Sequence, residues 1–317
     1  MKKYRFKISG TLTAALSLVS LCVSYGQSPF KILVFGAIAH DPAFSARDSI
    51  NAMLRAQSKL HGFTLDTTSK GEVFTRENLA QYRLVVMNNT SGIGKSINPE
   101  QRSALMEYLQ THGHVGIHYA AQTVGTWDDY ARYLGTDANS HVPAIGTLIL
   151  DSSQTPSSMH PIVKGLATSA RLADTWLWMR DLLPDPRGVT GTRILYSLDP
   201  SSCPTCPKSP YGEKVNPMVW TRTLESGGRM FYMAMGHYPD LFKPDTFCSN
   251  LLLRAITWAA GELEEPSSIS PLKASHASRN PAGTPYFRSG YVFRFADSGI
   301  PTLEPSDLTG RRVPGPR

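Results

Sequence analysis

Gly113-His114-Val115-Gly116-Ile117-His118-Tyr119-Ala120-Ala121 is a short apolar strand that runs into a small-residue turn and carries one histidine off its end. The spacing Gly116-x-His118-x-Ala120 is that of a nucleophile elbow, a sharp strand-to-helix turn that lifts a reactive side chain above a parallel sheet. Histidine stands where Ser or Cys is usual. An imidazole shuttles protons, ligates metals or holds polar ligands near neutral pH, and it rarely accepts an acyl group. The stretch therefore predicts a hydrolase-like sheet with altered chemistry at its centre. The competing reading is a buried His118 satisfied by backbone groups.

Upstream, Lys31–Phe35 is a continuous apolar run, as a strand buried on both faces requires. Ser49–Leu60 reads as an amphipathic helix with Ile50, Met53, Leu54 and Leu60 inward and Gly62 as its stop. Phe63–Asp66 and Leu84–Asn88 are further strands. Asn98-Pro99-Glu100-Gln101 opens a helix with an N-cap, Pro at N1 and Gln at N3, turning Leu105, Tyr108 and Leu109 inward. This alternation predicts an α/β fold with a doubly wound, mostly parallel sheet and right-handed crossovers. Ligands of such sheets bind beyond the carboxyl ends of the strands, where His118 stands.

The second half changes character. Gly146–Leu150, Ile194–Leu198, Pro217–Leu224 and Arg229–Met235 read as short strands, the last two joined through Gly227-Gly228 as an antiparallel hairpin. The hairpin ends at Gly236-His237, a second histidine delivered from a strand terminus. Phe247–Ala260 reads as a closing helix with Gly261 as its cap. From residue 266 to 317 the composition turns to Ser, Pro, Gly and Arg without periodicity, the pattern of an extended or disordered tail.

Residues 1–26 have the form of a signal peptide: a basic start, an apolar stretch from Ile8 to Val23, and small residues before Gln27. The stretch is too short and interrupted for a membrane anchor, so the expectation is a secreted or periplasmic protein with its domain over 27–265. The formal net charge of +7 belongs to the leader and the arginine-bearing tail, and the near-neutral body offers no footprint for nucleic acid. Cys203 and Cys206 sit in a Ser/Pro-rich loop, where a local disulfide is favoured over a redox motif or a zinc site. Cys248 is left free or pairs with another chain.

Over residues 30–262 the chain resembles the ThuA-like (trehalose utilisation) family, with its class I glutamine-amidotransferase-like, flavodoxin-like fold. The matching pieces, in order, are Lys31–Phe35, Phe74–Tyr82, Val115–His118, Ser140-His141, His160-Pro161, Asp174 with Trp176, Pro217–Trp220, Gly236-His237 and Ile256–Gly261. The resemblance implies a role in disaccharide or glycoside metabolism. In one place the chain departs from the family. Where a Phe-Arg-His-Asp-like run is usual, Phe44-Ser45-Ala46-Arg47-Asp48 puts Arg47 at the histidine, and a nearby insertion brings His40-Asp41. Either His40 takes that histidine's place or the function is absent. Position 118 is not cysteine, so glutamine hydrolysis is not expected.

The catalytic candidates are His118, His237 and Asp174, with His118 and His237 facing one another as acid and base and Asp174 orienting one of them. The substrate-binding candidates are His40, Asp41, Tyr119, His141, Trp176 and Trp220, the tryptophans as walls for a sugar ring, whose C–H faces are apolar. His160-Pro161 is balanced between a turn and a site role. His61, His112 and His114 read as structural residues at helix ends. Three functional classes follow: an enzyme acting on a disaccharide, glycoside or keto-sugar; a zinc-dependent hydrolase using His118, His237 and His40 or Asp41; and a non-catalytic carbohydrate-binding module.

Overall fold

Strand β1, Phe30–Phe35, lies inside the sheet because its neighbours on both sides are apolar strands: β2, Phe63–Thr68, and β3, Leu84–Asn88, both parallel to it. The computed structural model describes residues 29–37, 46–123, 126–179, 191–206 and 216–263, and two short strands further on. Residues 1–28, the 38–45 segment with His40 and Asp41, and most residues after 263 lie outside the described residues.

The nine-stranded sheet is completed by β4 (Gly113–Ile117), β5 (Ala138–Leu150), β6 (Ser169–Met179), β7 (Thr192–Leu198), β8 (Pro217–Thr223) and β9 (Arg229–Met233). Its order is β2-β1-β3-β4-β9-β8-β7-β5-β6. The five strands from β2 to β9 run parallel, and β8, β7, β5 and β6 are joined antiparallel. The result is a mixed α/β sheet, as the change of character halfway along the chain implies.

The helices follow their sequence signals closely. Helix α1, Arg47–Gln57, buries Ile50, Met53 and Leu54, but it stops short of Leu60, which is 80% exposed rather than inward. Short helices α2 (Arg76–Leu79) and α3 (Ile93–Ser96) lead to α4, Pro99–Leu109. There Asn98 and Gln101 form the reciprocal capping box that the sequence spells. Helix α5, Asp128–Leu134, fills the link between β4 and β5 and is not foreseen by periodicity. Helix α6, Phe247–Ala259, packs on β4 and β9, with Gly261 at φ 83 just past its end.

One departure shapes the site. The predicted strand at Gly146–Leu150 is the end of a longer β5, and β6 pairs with it from Ala138 to Ile149. Strand β5 meets β7 only at Leu148–Leu150, so most of the β5–β6 ribbon extends past the sheet. Asp174 at mid-β6 then bonds to Gly236 beyond β9, four places away in strand order. The antiparallel half therefore curls back over the ends of the parallel strands. Cys203 and Cys206 form a disulfide, and Cys248 is free and buried.

The segment Ile269–Arg317 is a separate unit, in which Arg294–Phe295 (β10) pairs antiparallel with Pro301–Thr302 (β11). Among the described residues, no helix is long and apolar enough to cross a membrane.

Candidate functional site

The strand-to-turn junction after β4 fixes His118. Strand β4 is wholly buried, and His118 begins the 3-10 turn His118–Ala121 with φ 49, a left-handed conformation that costs a non-glycine residue roughly 1–2 kcal/mol. The side chain is fully buried. Its Nδ1 lies 2.7 Å from the carbonyl oxygen of Ala234. A carbonyl only accepts, so Nδ1 carries the proton and Nε2 keeps a bare lone pair with no partner in the protein. Burial holds the imidazole neutral, lowering its pKa to about 3.

His237 comes off β9 through Gly236, whose φ of 136 is open only to glycine. The two histidine rings stand 5.5 Å apart at 69°, so the pair does face each other. Tyr119 closes a third side, 4.1 Å from His118 and 5.6 Å from His237. Its hydroxyl lies 3.5 Å from Nδ1 of His141, and burial pushes its pKa up to about 12. His141 reaches the cluster from β5, 6.4 Å from His237.

Asp174 works on the main chain. Oδ2 accepts from the N–H of Gly236 at 2.7 Å and Oδ1 from that of His237 at 3.0 Å. Burial raises its pKa to about 6, against the pull of these and other backbone N–H groups. Burial also lowers the pKa of His237, with a further push from His141. The Nδ1 of His237 has no partner in the protein.

Trp176 and Trp220 are not walls of this site. Both are buried, Trp176 donating to the Ala144 carbonyl at 3.1 Å and Trp220 to that of Leu134 at 2.8 Å, with Trp220 packed 4.7 Å from Tyr232. Each indole N–H finds a backbone carbonyl, so each ring sits in the core. The aromatic surface near the histidines is instead Tyr119 and Tyr238, the latter 36% exposed and 4.9 Å from His237. A cavity of about 380 Å³ borders the site at Ala173 and Tyr238, with Leu241 and Phe247 in its lining.

The other histidines divide by environment. His114 is on β4 rather than at a helix end, buried, with Nε2 3.1 Å from the Tyr130 hydroxyl. His160 is buried, 5.0 Å from Trp258 under α6, where its Nδ1 accepts from the N–H of Ile162. His112 stacks on Tyr108 at 4.1 Å. Arg47, in the place of the family histidine, pairs with Asp48 at 3.0 Å. Among the described residues, no group of three or more His, Cys, Asp or Glu is placed to hold a metal ion.

Sequence reading passed over Asn89-Thr90-Ser91, all buried just after β3, where the register with β4 sets Asn89 beside His118. The signal was present, since a polar run directly after a doubly buried strand marks a site at the strand ends.

The sequence pattern of the trehalose utilisation family, ThuA, matches residues 31–259. The chain belongs to the ThuA family. Among solved structures it is similar to a ThuA-like protein from Bacteroides uniformis, with 25% identity and a TM-score of 0.58, covering 75% of this chain and 94% of that one. It is also similar in fold to a ThuA-like protein from Parabacteroides merdae, with 20% identity and a TM-score of 0.53, covering 76% and 93%. No curated protein matches it. Family membership links the chain to carbohydrate metabolism.

Proposed function

We propose that this is an exported protein that acts on a disaccharide, glycoside or keto-sugar derivative by histidine acid–base chemistry. The observation that carries the reading is the tautomer of His118. With Nδ1–H donated to Ala234, the buried, unpartnered lone pair of Nε2 is a general base held neutral by burial, 5.5 Å between ring centres from His237. In this reading His118 takes a proton from the sugar or from water, and His237 returns one to the departing oxygen. Asp174 acts as a positioning residue, because it grips the backbone that carries His237.

The finer fold assignment agrees with this chemistry. The order β2-β1-β3-β4-β9 supports a flavodoxin-like, doubly wound core, and the positive φ of His118 supports an elbow of the glutamine-amidotransferase type. Export draws support from the basic and apolar leader and from the Cys203–Cys206 bridge, which suits an oxidising compartment.

The test is turnover. The purified protein is screened against trehalose, simple glucosides and 3-keto-glucosides, with and without added zinc. Turnover that is lost in His118→Asn supports the proposal. Sugar binding without turnover would leave a carbohydrate-binding module, and turnover only with zinc would move the reading to a metal-dependent hydrolase.

A further inference from the structure

The cavity of about 380 Å³ beside Tyr238 plays no part in the proton transfers assigned to the histidines. It begins one residue from each of two site groups. Ala173 in its lining precedes Asp174, and Tyr238 follows His237 with its ring 4.9 Å from the imidazole. Asp174 accepts from the N–H groups of Gly236 and His237, so the strand and the loop that border the cavity are tied together at the site. Cys248 is in the lining as well, near enough for its thiol to feel the Asp174 charge.

Where the lining is closed, it is apolar. Leu241 and Cys248 are buried, and Leu172 and Phe247 pack against the core. Burial pushes the Cys248 thiol well up, so it stays protonated and behaves as a small apolar group. Two of the polar groups are already engaged. The Thr246 hydroxyl lies against the Leu241 and Lys243 carbonyls and accepts the N–H of Ser249 at 3.3 Å, and Asp240 pairs with Lys243 at 2.9 Å. A second sugar placed here would bury hydroxyls without partners, which is unfavourable.

Size and position both suit an aromatic group. A dry apolar cavity of about 150 Å³ is enough for benzene, so this one has room for two fused rings. Arg171, exposed at the rim, brings a guanidinium, which favours an aromatic face over an aliphatic chain. His237 returns a proton to the departing oxygen, which puts the group carried by that oxygen on the side of His237 and Tyr238.

We propose that this cavity is a leaving-group subsite that takes an aromatic alcohol, and that the substrates are aryl glycosides rather than disaccharides. The proposal rests on the acid–base reading above and names the substrate class of that same site.

Calorimetric titration of the full chain with 2-naphthyl glucoside, methyl glucoside, trehalose and 2-naphthol tests it. The aryl glucoside is expected to bind at least about tenfold more tightly than methyl glucoside or trehalose. Ala173→Trp, which fills the cavity from an exposed strand position, should cut that preference by about tenfold, and Tyr238→Ala by about threefold. Both positions are exposed, so the thermal midpoint should hold. A merely structural role would weaken both glucosides alike and leave the preference unchanged. Equal affinity for the aryl and methyl glucosides in the wild type, an aryl preference that survives both variants, or no binding of either naphthyl probe would overturn the subsite. Turnover of methyl glucoside or trehalose without an aryl preference would overturn it too, with the acid–base reading left in place. Binding of 2-naphthol that Ala173→Trp abolishes, with no sugar bound or turned over, would instead overturn the acid–base reading and the leaving-group role with it, leaving only a site for an apolar ring.

Discussion

Asp174 holds His237 by its main chain rather than by its ring, each carboxylate oxygen accepting one backbone N–H, from Gly236 at 2.7 Å and from His237 at 3.0 Å. A ribbon strand at the far edge of the sheet thereby sets the loop that delivers a histidine from the central strands. Asparagine fits the same space but brings one acceptor and an N–H₂ that opposes the second N–H. Asp174→Asn is therefore expected to speed hydrogen exchange at the Gly236 and His237 amides by about tenfold or more. Amide exchange followed by mass spectrometry or NMR checks this, and unchanged protection would remove Asp174 from the positioning role.

The pH dependence of turnover follows from which histidine holds a proton. His118 acts as base only when neutral, which its pKa of about 3 permits throughout the ordinary range. His237 acts as acid only when protonated, and burial places its pKa below 6.5. Activity should rise with pH through about 3, then fall as pH climbs through the His237 pKa. The optimum is expected on the acid side of 6.5, and kcat/KM measured from pH 4 to 8 reads it directly. A plateau that continued above pH 7 would exclude His237 as the acid.

Stability carries a related signature. His114 and His118 both fall from 6.5 to about 3 on folding, because burial disfavours the imidazolium. Between those values the unfolded chain holds protons that the folded one lacks, so stability drops as pH drops. Asp174 works the other way: raised from 3.8 to about 6, it lends stability that is complete below 3.8 and lost as pH rises through about 6. His118→Asn removes one of the two histidine contributions, and asparagine tolerates the left-handed backbone at this position. Its unfolding free energy should lose less on acidification, the slope between pH 6 and 4 falling by about 1.4 kcal/mol per pH unit. Urea midpoints at three pH values measure the slope, and a slope equal to that of the wild type would contradict the buried, neutral state of His118.

Where local chemistry decides an element, the sequence was legible. The capping box at Asn98 and Gln101, the apolar runs of β1 and β3, and the Gly227-Gly228 hairpin are each specified by neighbours a few residues away. The approach of His118 to His237 was legible too, since a parallel sheet aligns strand ends and both histidines leave small-residue turns. What stayed hidden depends on distant chain. Strand β6 alternates weakly with polar residues because most of it pairs with β5 alone, beyond the reach of β7; Asp174 and His141 stand out in the sequence as candidates, but the curl of the ribbon that carries them to the site does not. His114 follows Gly113 at the close of a helical pattern, and its place inside a strand is decided by β3 and β9 on either side. A tryptophan in a matched segment likewise gives no sign of which side of the sheet it faces.

Trp220 turns that last ambiguity into a measurement. A tryptophan that lines a sugar site gives up affinity when truncated and leaves the fold nearly as stable. Trp220 is instead 1% exposed, donates its indole N–H to the Leu134 carbonyl at 2.8 Å, and packs against Tyr232, whose hydroxyl in turn donates to the His118 carbonyl at 2.9 Å. Truncation opens a large void and strands the carbonyl at the end of α5. Trp220→Ala is expected to cost about 3–5 kcal/mol of folding stability, and Trp220→Phe less, because the ring volume is largely kept. Urea unfolding at fixed pH gives both values. Sugar affinity, measured under conditions where the variant remains folded, should stay within about twofold of the wild type in Trp220→Phe. A Trp220→Ala protein as stable as the wild type but blind to sugar would return this residue to the binding site.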